Sequence, residues 1–129
     1  MMKMDKYKEY APLIARVSIS LVFLWFGFNE ILNTEAWVTW LPQFAYNLPI
    51  APTTLVLING IFEVIFGGLL LLGLFTRVAS FLLFIHLMGI VFSVGYNDVA
   101  IRDLGLSLVT LSIVLSGPDK WCLEKKVKW

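Results

Sequence analysis

The sequence predicts an all-α integral membrane protein built as a bundle of four antiparallel transmembrane helices. Two observations predict this class. Hydrophobic residues make up 59% of the 129 residues and charged residues only 15%, whereas about a quarter of the residues in a soluble domain are charged. The apolar residues also fall into long runs of about twenty, the length that one helix needs to cross a bilayer. A lipid bilayer is therefore the first partner that the sequence indicates.

The four predicted spans follow one another along the chain. They cover residues 13–32, 53–72, 77–94 and 99–116. Pro12 suits the first turn of the first helix, and Gly117 with Pro118 ends the fourth. The turn between the second and third spans is so short that these two helices should form an antiparallel hairpin. We expect one transmembrane domain over residues 1–129, whose first span is retained because no small-x-small cleavage site follows it.

The connection between the first two spans, residues 33–52, is predicted to lie on the membrane surface. It contains no Lys or Arg and carries Trp37, Trp40, Phe44 and Tyr46, aromatic residues that suit the membrane–water boundary. Thr34 can cap a short helix that starts near Glu35, and Pro42 would end or kink it. We therefore expect a short interfacial helix in this loop.

The orientation follows from the basic residues. One side of the four-span topology holds Lys3, Lys6, Lys8, Arg77, Lys120, Lys125, Lys126 and Lys128. The opposite side holds only Arg102. Because basic residues favour the cytoplasmic side, both termini are predicted to be cytoplasmic in a multi-pass protein of the cell membrane. The aromatic loop then lies outside.

A polar pair is predicted near the middle of the membrane. Asn59 and Glu63 are four residues apart, so they share one face of the second span. A carboxyl group at this depth must face protein or a water-filled cavity. His86 lies at a similar depth on the adjacent helix, so it is the expected partner of Glu63. The pair could satisfy itself structurally, or it could relay a proton or hold a quinone head group.

A second polar layer is predicted nearer the outer surface. It comprises Glu30, Asn59, Arg102 and Asp103. Arg102 is the lone cation in this layer, and its fork-shaped guanidinium suits two carboxylates. Two interpretations remain open: a cluster that fixes helix register, or a ligand-binding polar pocket that opens outward beneath the aromatic loop.

Several classes of function are disfavoured. The single cysteine, Cys122, cannot form an internal disulfide or a CxxC redox pair. With His86 as its one histidine, the chain cannot supply two histidines to a haem, and it has no ExxH or HExxH metal spacing. It has no glycine-rich nucleotide motif, and a net charge of +1 gives no indication of nucleic-acid binding. We therefore predict neither a metal nor a haem nor a nucleotide.

Several motifs resemble those of one family of small four-helix membrane proteins. They are Arg16 at the start of the first span, GFNEIL at its end, Asn59-Gly60-x-x-Glu63 followed by GGLLLLGLFTR in the second span, and AIRDLGL and SGPDKW around the fourth. On these motifs the chain resembles the DoxX family. The family often has a Lys where this chain has Glu30, so we expect Glu30 to neutralise Arg102 instead.

The resemblance implies a redox-associated protein, because the DoxX family includes membrane subunits of thiosulfate:quinone oxidoreductase. We therefore expect a membrane subunit of a quinone-linked oxidoreductase, with Glu63 and His86 as catalytic residues. Whether this chain itself catalyses a reaction stays open. The alternative is a non-catalytic accessory or structural subunit of a larger membrane enzyme complex. The expected protein partner is such a complex or, in a homo-oligomer, further copies of this chain. A transporter is less favoured, since no repeats or broken helices are evident.

Overall fold

Four long helices form the bundle in the computed structural model, which describes residues 6–39, 41, 43–94 and 98–125. The helices are α1 (Tyr10–Leu32), α2 (Thr34–Val38), α3 (Pro52–Leu72), α4 (Thr76–Val94) and α5 (Asp98–Ser116), with 3₁₀ turns at Gln43–Asn47 and Leu123–Lys125. By length and composition, α1, α3, α4 and α5 can each cross a membrane. Each predicted span lies inside one of these helices, so the predicted four-helix bundle is confirmed.

The residues at the two ends of α3 explain why this helix starts and stops where it does. Pro52 occupies the first helical position, where its missing N–H costs no hydrogen bond. At the other end Gly73 adopts a left-handed conformation with φ of 76°, which a side chain would disfavour. The N–H of Leu74 then bonds to the carbonyl of Leu69 at 2.9 Å, which closes the helix as a Schellman turn.

Glycines allow α1 and α3 to pack closely. A Cβ atom on Gly27 would lie 2.9 Å from the carbonyl oxygen of Gly60, and a Cβ on Gly60 would lie 2.9 Å from that of Gly27. Gly67, about two turns further along α3 than Gly60, faces Phe23 of α1. Small residues let backbones approach in this way where lipid provides no hydrophobic drive between helices. The α1–α3 seam therefore sets the spacing of the side chains around it.

The core is apolar, and its buried hydroxyl groups are satisfied locally. Its buried members are Ile19, Phe23, Leu70, Ala79, Leu83, Leu87 and Ile113. Buried Ser20, Ser80 and Thr110 each donate to the carbonyl four residues earlier, at 2.6, 2.6 and 2.8 Å. Because of these bonds, each of the three hydroxyl groups has a partner within its own helix.

The two ends of the bundle are built from different parts of the chain. We call one end the tail end; it comprises the start of α1, the α3–α4 turn and residues 117–125. The other is the loop end, which comprises the end of α1, residues 33–51 and the adjoining ends of α3, α4 and α5.

The predicted short helix at the loop end is present as α2, but its start differs in detail. Asn33 is its N-cap residue and makes no side-chain capping bond. Thr34, predicted as the cap, is the first helical residue, and its hydroxyl donates to the carbonyl of Glu30 at 2.8 Å. The prediction for Thr34 was wrong because α2 follows α1 directly, so the free carbonyls of α1 compete for this hydroxyl. Trp40 and Pro42 lie outside the described residues.

Candidate functional site

A cavity of about 490 Å³ lies at the loop end, between all four long helices and the connection from α1 to α3. This volume is typical of a small-molecule pocket. Most residues of its wall are apolar, including Val22, Phe23, Leu87 and Ile90. Five residues with ionisable or amide side chains also line it: Glu30, Asn59, Glu63, Arg102 and Asp103.

The aromatic loop covers the cavity. Trp37, Phe44 and Ala45 are part of the cavity wall. The ring of Trp37 packs edge-on against Phe26 of α1, with 5.7 Å between ring centroids. The hydroxyl of Tyr46 donates to the carbonyl of Val38 at 2.7 Å, which ties the 3₁₀ turn to α2. The loop thus encloses apolar space above the polar residues.

The amide of Asn59 connects two buried carboxyl groups. Its Nδ2 donates to Oε2 of Glu30 at 2.7 Å and to Oε1 of Glu63 at 3.3 Å. Glu30 and Glu63 are only 8% and 4% exposed, so neither carboxyl can rely on bulk solvent. The four-residue spacing of Asn59 and Glu63 on one helix produces this contact, and the Gly27–Gly60 approach brings Glu30 to it.

His86 contacts the same carboxyl group from α4. Its Nε2 lies 3.3 Å from Oε1 of Glu63, at the long end of the hydrogen-bond range. The imidazole also packs at 4.8 Å from the ring of Phe62. His86 is not part of the cavity wall. It contacts Glu63, which is. The predicted mid-membrane pair is thus brought together.

One atom of Glu63 lacks a partner. Its Oε2 is buried and makes no hydrogen bond to any part of the chain that the structure describes. A buried polar atom without a partner costs about 1–3 kcal/mol. Buried polar atoms are otherwise almost always paired, so this oxygen marks Glu63 as the side chain in the cavity wall with unused hydrogen-bonding capacity.

Arg102 and Asp103 form the outer part of the polar layer. Nε of Arg102 lies 3.5 Å from Oδ1 of Asp103, and the Arg102 side chain is 56% exposed. The guanidinium also lies over the ring of Phe26, 5.6 Å from its centroid. Within residues 6–39, 41, 43–94 and 98–125 the structure shows no ion pair between Arg102 and Glu30. Glu30 bonds to Asn59 instead, because Asn59 is the nearer donor across the α1–α3 seam.

No metal centre is evident in the part of the chain that the structure describes, since no three His, Cys, Asp or Glu side chains there are grouped as ligands. The carboxyl groups of Glu30 and Glu63 are bridged by an amide rather than converging on a shared point. The arrangement is suited to hydrogen bonding with an organic ligand and to holding a proton, which are the capacities of carboxyl, amide and imidazole groups.

Sequence reasoning missed a buried ion pair at the tail end. Nε of Arg16 donates to Oδ2 of Asp119 at 2.7 Å, and both side chains are 4% exposed. Arg16 also donates to the carbonyls of Leu70 and Leu71 in the last turn of α3. Burial favours a higher pKa for Asp119, but hydrogen bonds from Arg16 and from the backbone N–H of Trp121 outweigh it, so the pKa of Asp119 lies below its ordinary value.

The rest of the tail also packs onto the α3–α4 turn. The carboxyl group of Glu124 accepts the first N–H of α4, from Thr76, at 2.8 Å. The backbone N–H of Glu124 donates to the carbonyl of Gly73 at 3.0 Å, and Cys122 is fully buried beside Gly73. The sequence predicted that Gly117 and Pro118 end the fourth span, but not that the chain then folds back onto the bundle.

Comparison with known proteins finds one family match, which covers α1 to α4. A family model described as DoxX matches residues 11–95. Glu30, Asn59, Glu63 and His86 lie within the matched residues, whereas Arg102 and Asp103 lie beyond them. No curated protein and no solved structure matches the chain significantly.

Proposed function

The chain belongs to the DoxX family, and from that premise we propose that it is a membrane subunit of a quinone-linked oxidoreductase whose loop-end cavity binds the quinone head group. The observation that carries the proposal is the unpaired Oε2 of Glu63 in the wall of a largely apolar cavity. Apolar walls with a few converging polar groups are the usual form of a site for a small lipophilic ligand. The cavity therefore fits a ligand with a polar head and an apolar body.

Two residues have the catalytic role in this proposal. A bound quinone supplies the redox chemistry, since it takes up two electrons and two protons at its two oxygen atoms. Glu63 lines the cavity and is the group that would contact the ligand. His86 lies 3.3 Å from the other oxygen of Glu63, so the imidazole and the carboxyl can exchange a proton after a small shift. The pair would deliver or accept protons out of contact with bulk water.

The remaining polar residues position the ligand. Asn59 fixes the carboxyl groups of Glu30 and Glu63 by bonding to both. Arg102 and Asp103 lie at the more exposed side of the cavity, where a guanidinium can contact an oxygen of a ligand head group. Phe26, Trp37 and Phe44 provide the apolar and aromatic walls.

The orientation of this site in the membrane is part of the proposal. Apart from Arg102, the basic residues of the sequence precede or start α1, start α4 or follow α5, and basic residues favour the cytoplasmic side. We therefore place both termini in the cytoplasm and the cavity near the outer face of the cell membrane.

The test is the quinone content of the purified protein. The full chain is extracted in mild detergent, and quinone per protein is measured by chromatography and mass spectrometry. We expect close to one quinone per chain, and at least about tenfold less in Glu63→Gln and Arg102→Ala, since each variant changes or removes a group that would bond to the ligand. Glu9→Gln is the matched control, because Glu9 is an exposed carboxylate at the tail end whose partner is Lys120.

Two outcomes would contradict the proposal. One is the absence of quinone from the unaltered protein; the other is full retention of quinone by folded Glu63→Gln and Arg102→Ala variants. Thermal melting of each variant shows whether it is folded. If the variants bind as the unaltered chain does, the polar layer is structural.

The second candidate function is an accessory subunit that packs against a larger membrane protein. The observation that favours it is the set of large aromatic side chains exposed on α1 and α4: Trp25, Phe28, Phe81 and Phe92. Exposed aromatic faces of this kind can contact either a partner helix or lipid. Crosslinking in native membranes separates the two functions: a defined larger partner on these faces supports the accessory subunit, and crosslinks to lipid alone contradict it.

A further inference from the structure

The hydrogen-bond donors of Asn59 and Ser93 in the cavity wall are already in use. The two N–H groups of Asn59 serve Glu30 and Glu63. The hydroxyl of Ser93, which also lines the cavity, donates to the carbonyl of Gly89 at 2.7 Å. Nε of Arg102 faces Asp103, and the rest of its guanidinium lies over Phe26 at the exposed side.

The acceptors around the cavity are not all in use. Its wall has three carboxyl groups, on Glu30, Glu63 and Asp103, and one guanidinium, on Arg102. Asn59 and His86 both approach Oε1 of Glu63. Oε2 of the same carboxyl has no donor among the residues described. The wall therefore lacks a donor at Glu63, whereas the remaining N–H groups of Arg102 lie at the exposed side of the cavity.

We propose that the ligand of this cavity presents a hydrogen-bond donor, a hydroxyl group, to Glu63. The inference rests on the proposed function, and it selects between the two forms of a quinone-type ligand. The oxidised form has two carbonyl oxygens, which only accept hydrogen bonds, whereas the reduced form has two hydroxyl groups, which donate. The cavity is thus matched to the dihydroxy form, and the dicarbonyl form is held less tightly.

The geometry allows this contact with little rearrangement. Oε2 of Glu63 is buried as the structure stands, but the last torsion of a glutamate side chain is broad. A rotation about it exchanges or tilts the two oxygens while Asn59 and His86 keep an acceptor. A ligand hydroxyl in the cavity would then complete the hydrogen bonding of a carboxyl that the protein alone leaves incomplete.

Two probes that share one ring and alkyl chain but differ in donor capacity test the inference. They are hexylhydroquinone, handled without oxygen, and its dimethyl ether, which has the same body but only acceptor oxygens. Binding to the full chain in lipid nanodiscs is measured by titration calorimetry, with empty nanodiscs as the blank for partition into lipid. We expect hexylhydroquinone to bind about tenfold more tightly than the ether, a ratio that corresponds to one hydrogen bond of about 1.4 kcal/mol.

Variants assign the preference to the correct atom. In Glu63→Gln the new amide nitrogen can donate, so the ratio of the two affinities should fall to about one. In Glu9→Gln the ratio should be unchanged. If Glu63→Gln does not fold, the ratio measured on the unaltered chain still tests whether the cavity prefers a ligand that donates.

The outcomes separate this inference from the function on which it rests. If both probes bind with equal affinity, or the ether binds more tightly, the donor inference is overturned and the cavity remains a ligand site. If neither probe binds, the proposed quinone site itself fails. A tenfold preference that persists in Glu63→Gln would overturn the assignment to Glu63.

Discussion

The two ends of the bundle bury charged groups in opposite ways. At the tail end Arg16 and Asp119 are paired, and Arg16 also satisfies two carbonyls at the end of α3. At the loop end Glu63 keeps one oxygen without a partner, and Arg102 is half exposed. The tail end is thus saturated with hydrogen bonds, whereas the loop end is not.

This difference follows from what covers each end. Residues 117–125 fold back onto the α3–α4 turn, where Cys122 packs beside Gly73 and Glu124 caps α4. At the loop end the chain instead passes over the helices as an amphipathic loop that leaves about 490 Å³ of space. The tail end has no space for a ligand because the chain fills it, whereas the cavity at the loop end can admit one.

The comparison separates structural from functional charge. Both ends have a buried carboxyl close to a potential cation, so charge and burial alone do not distinguish them. The hydrogen bonds distinguish them. A carboxyl group whose oxygens are all bonded has no free acceptor for a ligand, whereas an unpaired oxygen is stabilised when a ligand bonds to it. Natural proteins often retain destabilising groups of this kind where activity needs them.

The largest predicted effect is the loss of the tail-end pair. Asp119→Asn removes the charge that balances buried Arg16, so we expect the free energy of unfolding to fall by about 3–5 kcal/mol. Thermal or denaturant unfolding in detergent measures it. The exposed pair of Glu9 and Lys120 supplies the control: Lys120→Gln should change stability by less than about 1 kcal/mol. Equal effects of Asp119→Asn and Lys120→Gln would show that burial of the pair contributes nothing.

The second predicted effect is at the α3–α4 turn. Gly73→Ala places a methyl group in a left-handed conformation and 2.5 Å from Cα of Cys122. We expect a loss of stability of about 1–3 kcal/mol from the clash, in addition to the backbone strain. Gly68→Ala is the matched control in the same helix, since nothing lies within 4 Å of its added Cβ, and it should stabilise by up to about 1 kcal/mol. Similar melting temperatures for both variants would contradict the packing of the tail.

A smaller effect is predicted for the loop end. Glu63→Gln keeps an oxygen for Asn59 and His86 and removes a carboxyl oxygen that has no partner. We expect the unfolding free energy to change by less than about 1 kcal/mol in either direction, since one incompletely bonded group replaces another. The same unfolding assay measures it beside Asp119→Asn. A loss as large as that of Asp119→Asn would show that Glu63 is a structural residue after all.

The bundle was predictable because the signal for it is local. A bilayer accepts only helices whose backbone is satisfied internally, so each apolar run of sufficient length specifies one helix. Counting residues along the spans also placed Glu63 and His86 at one depth, and the structure has them 3.3 Å apart. Spacing within a helix placed Asn59 on the face of Glu63.

The tail-end contacts were not predictable in the same way. Arg16 and Asp119 are 103 residues apart and Thr76 and Glu124 are 48 apart, so no local pattern joins them. Their pairing depends on the fold-back after α5, which hydropathy does not encode. The partner of Glu30 was equally undetermined, because both Asn59 and Arg102 are at a similar depth and only the close α1–α3 seam favours Asn59.

The last prediction concerns the acid sensitivity of the tail end. Burial favours a higher pKa for Asp119, but the bonds from Arg16 and Trp121 prevail, so its pKa in the folded chain lies below the ordinary value of about 3.9. The unfolded chain therefore binds the proton more readily, and the stabilisation is complete above about pH 4 and is lost as the pH falls through the lowered pKa. Melting temperatures of the unaltered chain and Asp119→Asn, measured from about pH 7 to pH 2, should converge only at the acid end. A constant difference across this range would mean that the buried pair does not titrate with folding.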